Sequence, residues 1–291
     1  MSLTAAAVAL ALASAGAAQQ PPPPAQPAPA AAPVARFAVK GDWGWGGPEQ
    51  AAVTRRMCAE YRRAPFRFVL TTGDNFYRPD GVATATNFTR PERCLIALGV
   101  RWHAAWGNHD WAATGTAGTL RSPRRWYAVT AGPVRILVLD GNDPADPGQL
   151  AFIRRQLTTA REPVRIVAYH QPLHTAGIHP PSAQALRLWE PLFRRGRVTL
   201  ALQGHNHSYE RFRIGAITYV TTGGGGAPVY PCIRFAAGLE KCIPAHHFLV
   251  VTATSTRVVV RAVSPRGETL DRVVIPARPP APAPASASRE G

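Results

Sequence analysis

Lysine is almost absent from this chain of 291 residues, and no apolar run is long enough to cross a membrane. Lys40 and Lys241 are the only lysines, so arginine supplies nearly all of the basic side chains behind the net charge of +16. Basic tracts would predict a nucleic-acid surface, but these arginines stand singly or in pairs, and no nucleic-acid partner is required. The charge indicates either an arginine-rich base composition or a field that attracts anionic substrates.

The longest N-terminal apolar run covers residues 3–13, whereas a membrane span needs about 20 residues. Small residues follow it, and this pattern is typical of a secretory signal cleaved near Ala18. No lysine or arginine precedes the run, so an upstream start or a low-complexity tail are the alternatives. We expect a secreted or periplasmic protein with a signal peptide (1–18), a Pro/Ala-rich linker (19–34), a folded domain (35–276) and a Pro/Ala-rich disordered tail (277–291).

The four cysteines lack the C-x-x-C spacing of a zinc cluster. An even number of cysteines in an exported protein predicts two disulfides. A bridge between Cys232 and Cys242 would close a short loop and leave Cys58 for Cys94. The other two pairings, and free buried thiols, remain open on the sequence alone.

Between residues 35 and 202 the hydrophobic pattern alternates between strands and helices. Residues 48–63 predict a helix with Val53, Met57 and Tyr61 on one face. After residue 202 only strands are predicted, over 216–222, 248–253, 257–263 and 270–275. The pattern favours the α/β (α+β) class with a partly parallel sheet.

Five predicted strands run into a polar residue where each strand ends. In open α/β sheets, ligands bind at the carboxyl ends of the strands. Residues far apart in sequence are therefore expected to converge there, namely Asp42, Asp74, Asn108, His170 and His205.

Tyr77 and His207 lie close in sequence to this set and bring it to seven donors without a thiolate. Oxygen and nitrogen donors suit Fe, Mn, Zn or Mg. Seven donors exceed the needs of one ion that also keeps a water, so two ions are expected.

The same residues carry a family resemblance through five ordered sequence blocks: Gly41-Asp42-Trp43-Gly44, Gly73-Asp74-Asn75-Phe76-Tyr77, Gly107-Asn108-His109-Asp110, Tyr169-His170-Gln171-Pro172 and Gly204-His205-Asn206-His207. They resemble the metallophosphoesterase superfamily (calcineurin-like phosphoesterases), and Tyr77 resembles its purple acid phosphatase branch. The resemblance covers roughly residues 36–254 and implies a four-layer αββα sandwich of two mixed β-sheets flanked by helices. The plant-type N-terminal β-sandwich is not expected here, so the resemblance is to the small single-domain type.

The resemblance implies a ligand set for a binuclear centre. One metal would take Asp42, Tyr77 and His207, the other Asn108, His170 and His205, with Asp74 bridging. The Tyr77-bound metal would be Fe(III), since a phenolate is a hard anionic ligand, and the other would be Fe, Zn or Mn.

The implied activity is that of an exported acid phosphatase acting on small phosphate monoesters by in-line attack of a metal-bound hydroxide. His109 is the first candidate for protonating the leaving group, and His179 and His174 compete for a second active-site position. The alternatives are a phosphodiesterase or nucleotide hydrolase on the same core, or a non-catalytic basic module that binds polyanions.

Three smaller expectations surround the predicted centre. Asp110 or Asp140 is expected to orient a ligating imidazole. The glycine run 223–226 is expected to form a tight loop at the edge of the site. Arg211 is expected either to contact phosphate or to pair with Glu210.

Overall fold

The structure is a computed structural model that describes residues 34–110 and 115–278. The expected signal peptide, almost all of the expected linker and most of the expected tail lie outside these residues. In the part of the chain that the structure describes, no helix is long and apolar enough to cross a membrane.

The described residues contain thirteen strands and four α-helices. In chain order they are β1 (Ala35–Lys40), α1 (Pro48–Arg63), β2 (Phe68–Thr71), α2 (Arg93–Ala97), β3 (Arg101–Ala104), β4 (Tyr127–Ala131), β5 (Val134–Val138), α3 (Pro147–Thr159), β6 (Val164–Ala168), α4 (Ala183–Arg195), β7 (Leu200–Gln203), β8 (Tyr209–Ile214), β9 (Ile217–Thr222), β10 (Leu239–Ile243), β11 (Phe248–Ala253), β12 (Arg257–Val263) and β13 (Thr269–Pro276).

The strands form two mixed sheets. The first sheet has the order β13-β12-β11-β1-β2-β3, in which β1, β2 and β3 are parallel. The second has the order β10-β8-β9-β7-β6-β5-β4, in which β5, β6, β7 and β9 are parallel. Within each sheet, the carboxyl ends of these parallel strands therefore lie at the same edge.

Alternating residues of the strands face two different cores. In β1, Phe37 and Val39 point into the apolar layer between the sheets, where they meet residues such as Ile166 of β6. Ala38 points the other way and packs with Met57 of α1. The second sheet packs its outer face against α3 and α4. The expected four-layer αββα arrangement is confirmed.

Local sequence signals start the helices where they are observed. Pro48 occupies the first turn of α1, where its missing N–H costs nothing. The side chains of Asp146 and Ser182 accept hydrogen bonds from the first turns of α3 and α4. The bounds predicted for α1, β11 and β12 are confirmed, whereas α2, β4, β8 and β10 were not predicted.

Both predicted disulfides are present. Cys58 joins Cys94, and Cys232 joins Cys242. The first links α1 to α2, and the second ties the segment after the glycine run to β10.

Candidate metal centre

The predicted ligands converge at the shared edge of the two sheets. Asp42, Asp74 and Asn108 follow β1, β2 and β3, while His170 and His205 follow β6 and β7. Ligand atoms of Asp42, Asp74 and His170 all lie within 4.8 Å of one another, and all three residues are buried. Residues from both sheets thus meet at one place.

The first group of donors surrounds Tyr77. Its hydroxyl oxygen lies 3.0 Å from Nε2 of His207 and 3.4 Å from Oδ1 of Asp42. Nε2 of His207 also lies 3.4 Å from Oδ1 of Asp42. These three atoms form a compact triangle of one carboxylate, one phenol and one imidazole.

The second group surrounds His170. Its Nε2 lies 3.0 Å from Oδ1 of Asn108 and 3.2 Å from Nδ1 of His205. Oδ1 of Asp74 lies 3.4 Å from the same nitrogen. Two ligands about 2.1 Å from one ion and at right angles to each other lie about 3 Å apart, so both groups have the spacing of a coordination shell.

Backbone carbonyls fix the orientation of two imidazoles. Nδ1 of His170 lies 2.9 Å from the carbonyl oxygen of Thr72, and Nδ1 of His207 lies 2.7 Å from that of Pro228. A carbonyl only accepts, so each Nδ1 carries the proton and each Nε2 is free to bind a cation.

Asp110 and Asp140, the partners expected for the imidazoles, bind elsewhere. The Asp110 carboxylate accepts hydrogen bonds from the backbone N–H groups of Asn75 and Gly107. It therefore ties together the loops that carry Asp74 and Asn108, and burial and nearby Asp74 raise its pKa to about 6. Asp140 forms an ion pair with Arg125.

Three of the predicted ligands have strained backbones. Five non-glycine residues have positive φ in the described chain, and three of them are Asp42 (57°), Asp74 (50°) and His205 (72°). Such conformations cost about 1–3 kcal/mol each and concentrate at functional sites. The fold thus holds these side chains in the cluster although non-glycine residues prefer a negative φ.

Glycines allow the close approach of the loops. A Cβ on Gly107 would lie 2.1 Å from Oδ1 of Asp74, and one on Gly223 would lie 2.1 Å from the carbonyl oxygen of Asn206. No side chain fits at either position. The glycine run 223–226 lies at the edge of the site, as expected.

Electrostatics also favour a cation between the groups. Burial opposes the charged forms of Asp74 and His170, yet their attraction lowers the pKa of the carboxyl and raises that of the imidazole. Burial raises the pKa of Tyr77, and Asp42 and Asp74 raise it further. A multivalent cation would compensate both buried carboxylates and favour the phenolate, so the donor set fits metal ions.

His109 and His179 flank the donors on two sides. The His109 side chain is 43% exposed, its backbone N–H donates to Asp74, and its ring lies 4.5 Å from that of Tyr77. The His179 ring lies 4.4 Å from that of His205.

His174 and Arg211 lie in other surroundings. The His174 ring packs against Tyr219 at 4.6 Å, and its Nε2 lies 3.7 Å from Glu190. His174 is therefore the weaker candidate for the second active-site position. Arg211 pairs with Asp271 and Glu240, so the expected pair with Glu210 was wrong.

Three residues around His179 were missed by sequence reasoning. Tyr230 stacks on the ring of His207 at 4.0 Å. The side-chain carbonyl of Asn206 accepts from the backbone N–H of His179. Arg234 donates to the carbonyl oxygens of residues 177, 178 and 179. The only available signals were the position of Asn206 between two predicted ligands and the nearness of Tyr230 and Arg234 to Cys232.

Comparison with known proteins agrees with this geometry. Residues 35–209 match the sequence profile of the calcineurin-like phosphoesterases. The chain belongs to this family. It is 26% identical to tartrate-resistant acid phosphatase type 5 of Oryctolagus cuniculus, and the alignment covers 85% of this chain and 93% of the relative. Purple acid phosphatase 7 of Arabidopsis thaliana is 24% identical, and the alignment covers 67% of this chain and 70% of that protein.

Two solved structures share the fold of this chain. The purple acid phosphatase PPD1 of yellow lupin superposes with a TM-score of 0.71 at 18% identity, covering 85% of this chain and 55% of the lupin chain. GAP50, the anchor in the inner membrane complex of Plasmodium, superposes with a TM-score of 0.72 at 18% identity, and the superposition covers 84% of this chain and 90% of GAP50. The family and its acid phosphatase relatives imply a binuclear metal centre and support a phosphatase.

Proposed function

We propose that the protein is an exported acid phosphatase that hydrolyses small phosphate monoesters at a binuclear metal centre. The observation that carries the proposal is the pair of donor groups, one around Tyr77 and one around His170, linked by Asp74. A carboxylate oxygen of Asp74 lies within 4.8 Å of ligand atoms of Asp42 in one group and of His170 in the other, which supports a bridging role.

In the proposed centre Asp42, Tyr77 and His207 would hold one ion, Asn108, His170 and His205 would hold the other, and Asp74 would be shared by both. The phenolate suits Fe(III) at the first position, with Fe, Zn or Mn at the second. Bound ions supply Lewis-acid activation of a water molecule and neutralise phosphate oxygens.

The flanking histidines serve the ester itself. The half-exposed imidazole of His109 stands at the mouth of the site and is proposed to give a proton to the departing alkoxide. His179, next to His205, is proposed to donate an N–H to a phosphate oxygen or share the proton transfer.

A mono- and a diester of the same phenol distinguish the phosphatase from a phosphodiesterase. The assay is run across pH on protein of known metal content. The proposal predicts two ions per chain and faster monoester turnover at acid to neutral pH. Faster diester turnover would identify a diesterase. Bound metal without turnover of either ester would identify a non-catalytic binder.

Export is the second part of the proposal, together with the domain limits 35–276. The two disulfides support it, because such bridges persist in oxidising compartments. N-terminal sequencing of the protein from an expressing culture should find a mature chain starting near residue 19 outside the cytoplasm. An intact residue 1 on cytoplasmic protein would overturn export and leave the phosphatase proposal untouched.

A further inference from the structure

A hollow of about 470 Å³ opens on the side of the second sheet that carries α3 and α4. Four arginines line it together with Leu157, Thr158, Leu192 and Gly196; they are Arg154, Arg165, Arg195 and Arg197. We call it the arginine hollow. Nothing in the proposed phosphatase reaction uses it.

Arg165 is a buried cation that pairs with no carboxylate of residues 34–110 or 115–278. Its side chain is 2% exposed, and its guanidinium donates to the backbone carbonyls of Ala160 and Arg278. Its Nε finds no acceptor within the described part of the chain. Burial and the nearby charge of Arg197 lower the pKa of this guanidinium, and Glu162, which opposes the shift, is already paired with Arg135 at 3.0 Å.

Arg197 adds a second guanidinium with an unpaired nitrogen. Its Nε is buried and finds no acceptor among the residues that the structure describes, and its backbone has a φ of 54°. Among residues 34–110 and 115–278, no carboxylate lies within ion-pair distance of Arg154, Arg195 or Arg197. Like charges gathered around a concavity are unfavourable unless an anion neutralises them.

The arginine hollow is far from the candidate metal centre. Arg165 lies near the start of β6, whereas His170 follows its end. Five residues of extended chain span about 16 Å. Arg195 and Arg197 likewise precede β7, while His205 follows it. The two positions are at opposite ends of the same strands.

We propose that the arginine hollow is a second anion site that binds a tetrahedral oxyanion, either a phosphate or a sulfate group. Guanidinium groups bind such groups through paired N–H donors and retain their charge when partly buried. The ligand is a free ion or the same group carried on a larger molecule.

A second arginine cluster provides the matched control. Arg55, Arg62, Arg90 and Arg93 line another hollow, but all four side chains are exposed. They contribute the same charge without a buried guanidinium. If anions are attracted only by the positive charge of the protein, both clusters should bind them equally. If the arginine hollow is a specific site, it should bind them more tightly than the exposed cluster.

The test is calorimetric titration of the metal-loaded protein with inorganic sulfate at constant ionic strength. Sulfate is chosen because a phosphatase does not consume it. We expect saturable binding that weakens about tenfold, or 1.4 kcal/mol, in the Arg195→Gln/Arg197→Gln variant. The Arg55→Gln/Arg62→Gln control should retain the wild-type affinity, and all three proteins should hydrolyse nitrophenyl phosphate alike.

Thermal unfolding tests whether Arg195 and Arg197 stabilise the fold or serve to bind the anion. Without sulfate, the Arg195→Gln/Arg197→Gln variant should be no less stable than the wild type, because like-charge repulsion is relieved. A sulfated oligosaccharide titrated in parallel shows whether the site prefers a polymer-borne group. Equal sulfate affinity in all three proteins, or equal loss in both variants, would overturn the proposal, whether or not the protein is a phosphatase.

Discussion

The two sheets bring different chemistry to one edge of the molecule. Loops after β1, β2 and β3 of the first sheet supply oxygen donors, namely Asp42, Asp74, Tyr77 and Asn108. Loops after β6 and β7 of the second sheet supply imidazoles, namely His170, His205 and His207. Neither set alone has the mixed oxygen and nitrogen character of the two donor groups.

Each donor group crosses the boundary between the sheets. His207 of the second sheet reaches Tyr77 and Asp42 of the first, and Asn108 and Asp74 of the first reach His170. A metal ion in either group would therefore link the sheets, so metal binding and sheet packing should stabilise one another.

Replacing Asp74 should have the largest effect, because it should remove the ions that link the two sheets. Asp74→Ala should lose both ions and all measurable turnover, because this carboxylate lies between the two groups. Asn108→Ala should mainly weaken one ion. Elemental analysis checks both variants, and an Asp74→Ala protein that retains two ions would refute the bridging role.

The flanking histidines come next in expected effect. His109→Ala and His179→Ala should retain both ions but slow turnover about 10²–10⁴-fold, and less for nitrophenyl esters, whose leaving group needs less protonation. His174→Ala is the matched control, since His174 packs against Tyr219. A slow His174→Ala enzyme beside a normal His179→Ala enzyme would reverse the assignment.

Arg234 should act through His179. Its guanidinium holds the carbonyls of residues 177–179, so Arg234→Gln should lower kcat for phenyl phosphate about tenfold with little change in KM. Hydrogen exchange at the His179 amide should accelerate. Exposed Arg272 provides the control Arg272→Gln. A change in melting temperature without a change in kcat would leave Arg234 only a structural role.

Tyr77→Phe should have the smallest effect on activity and a visible effect on colour. A phenolate bound to Fe(III) absorbs visible light through transfer of an electron from the ring to the metal. Iron-loaded wild type should be pink to violet, and Tyr77→Phe should be colourless with most of its iron still bound. A coloured Tyr77→Phe protein would assign the chromophore to another residue.

The order of the strand-end residues allowed most of the cluster to be predicted, because parallel strands must place their ends together. Residues whose contacts depend on the folded loops could not be predicted. Tyr230 and Arg234 follow no periodic pattern, and the segment that carries them is placed by the disulfide between Cys232 and Cys242.

The secondary structure likewise contains elements that the sequence predicts and elements that depend on contacts in the folded chain. Helix α1 has a proline at its start and an amphipathic repeat, so its bounds could be predicted. Strand β8 contains Glu210, Arg211 and Arg213, and its sequence lacks an apolar run. It forms because it pairs with β9 and β10, and its charged side chains find distant partners such as Asp271.

The central claim is that both sheets together hold two ions on which turnover depends. Titrating metal-stripped wild type with metal while measuring nitrophenyl phosphate turnover and melting temperature tests it most directly. We expect activity to reach its maximum at two equivalents and the melting temperature to rise with each ion. Full activity at one equivalent, or in the stripped protein, would contradict it.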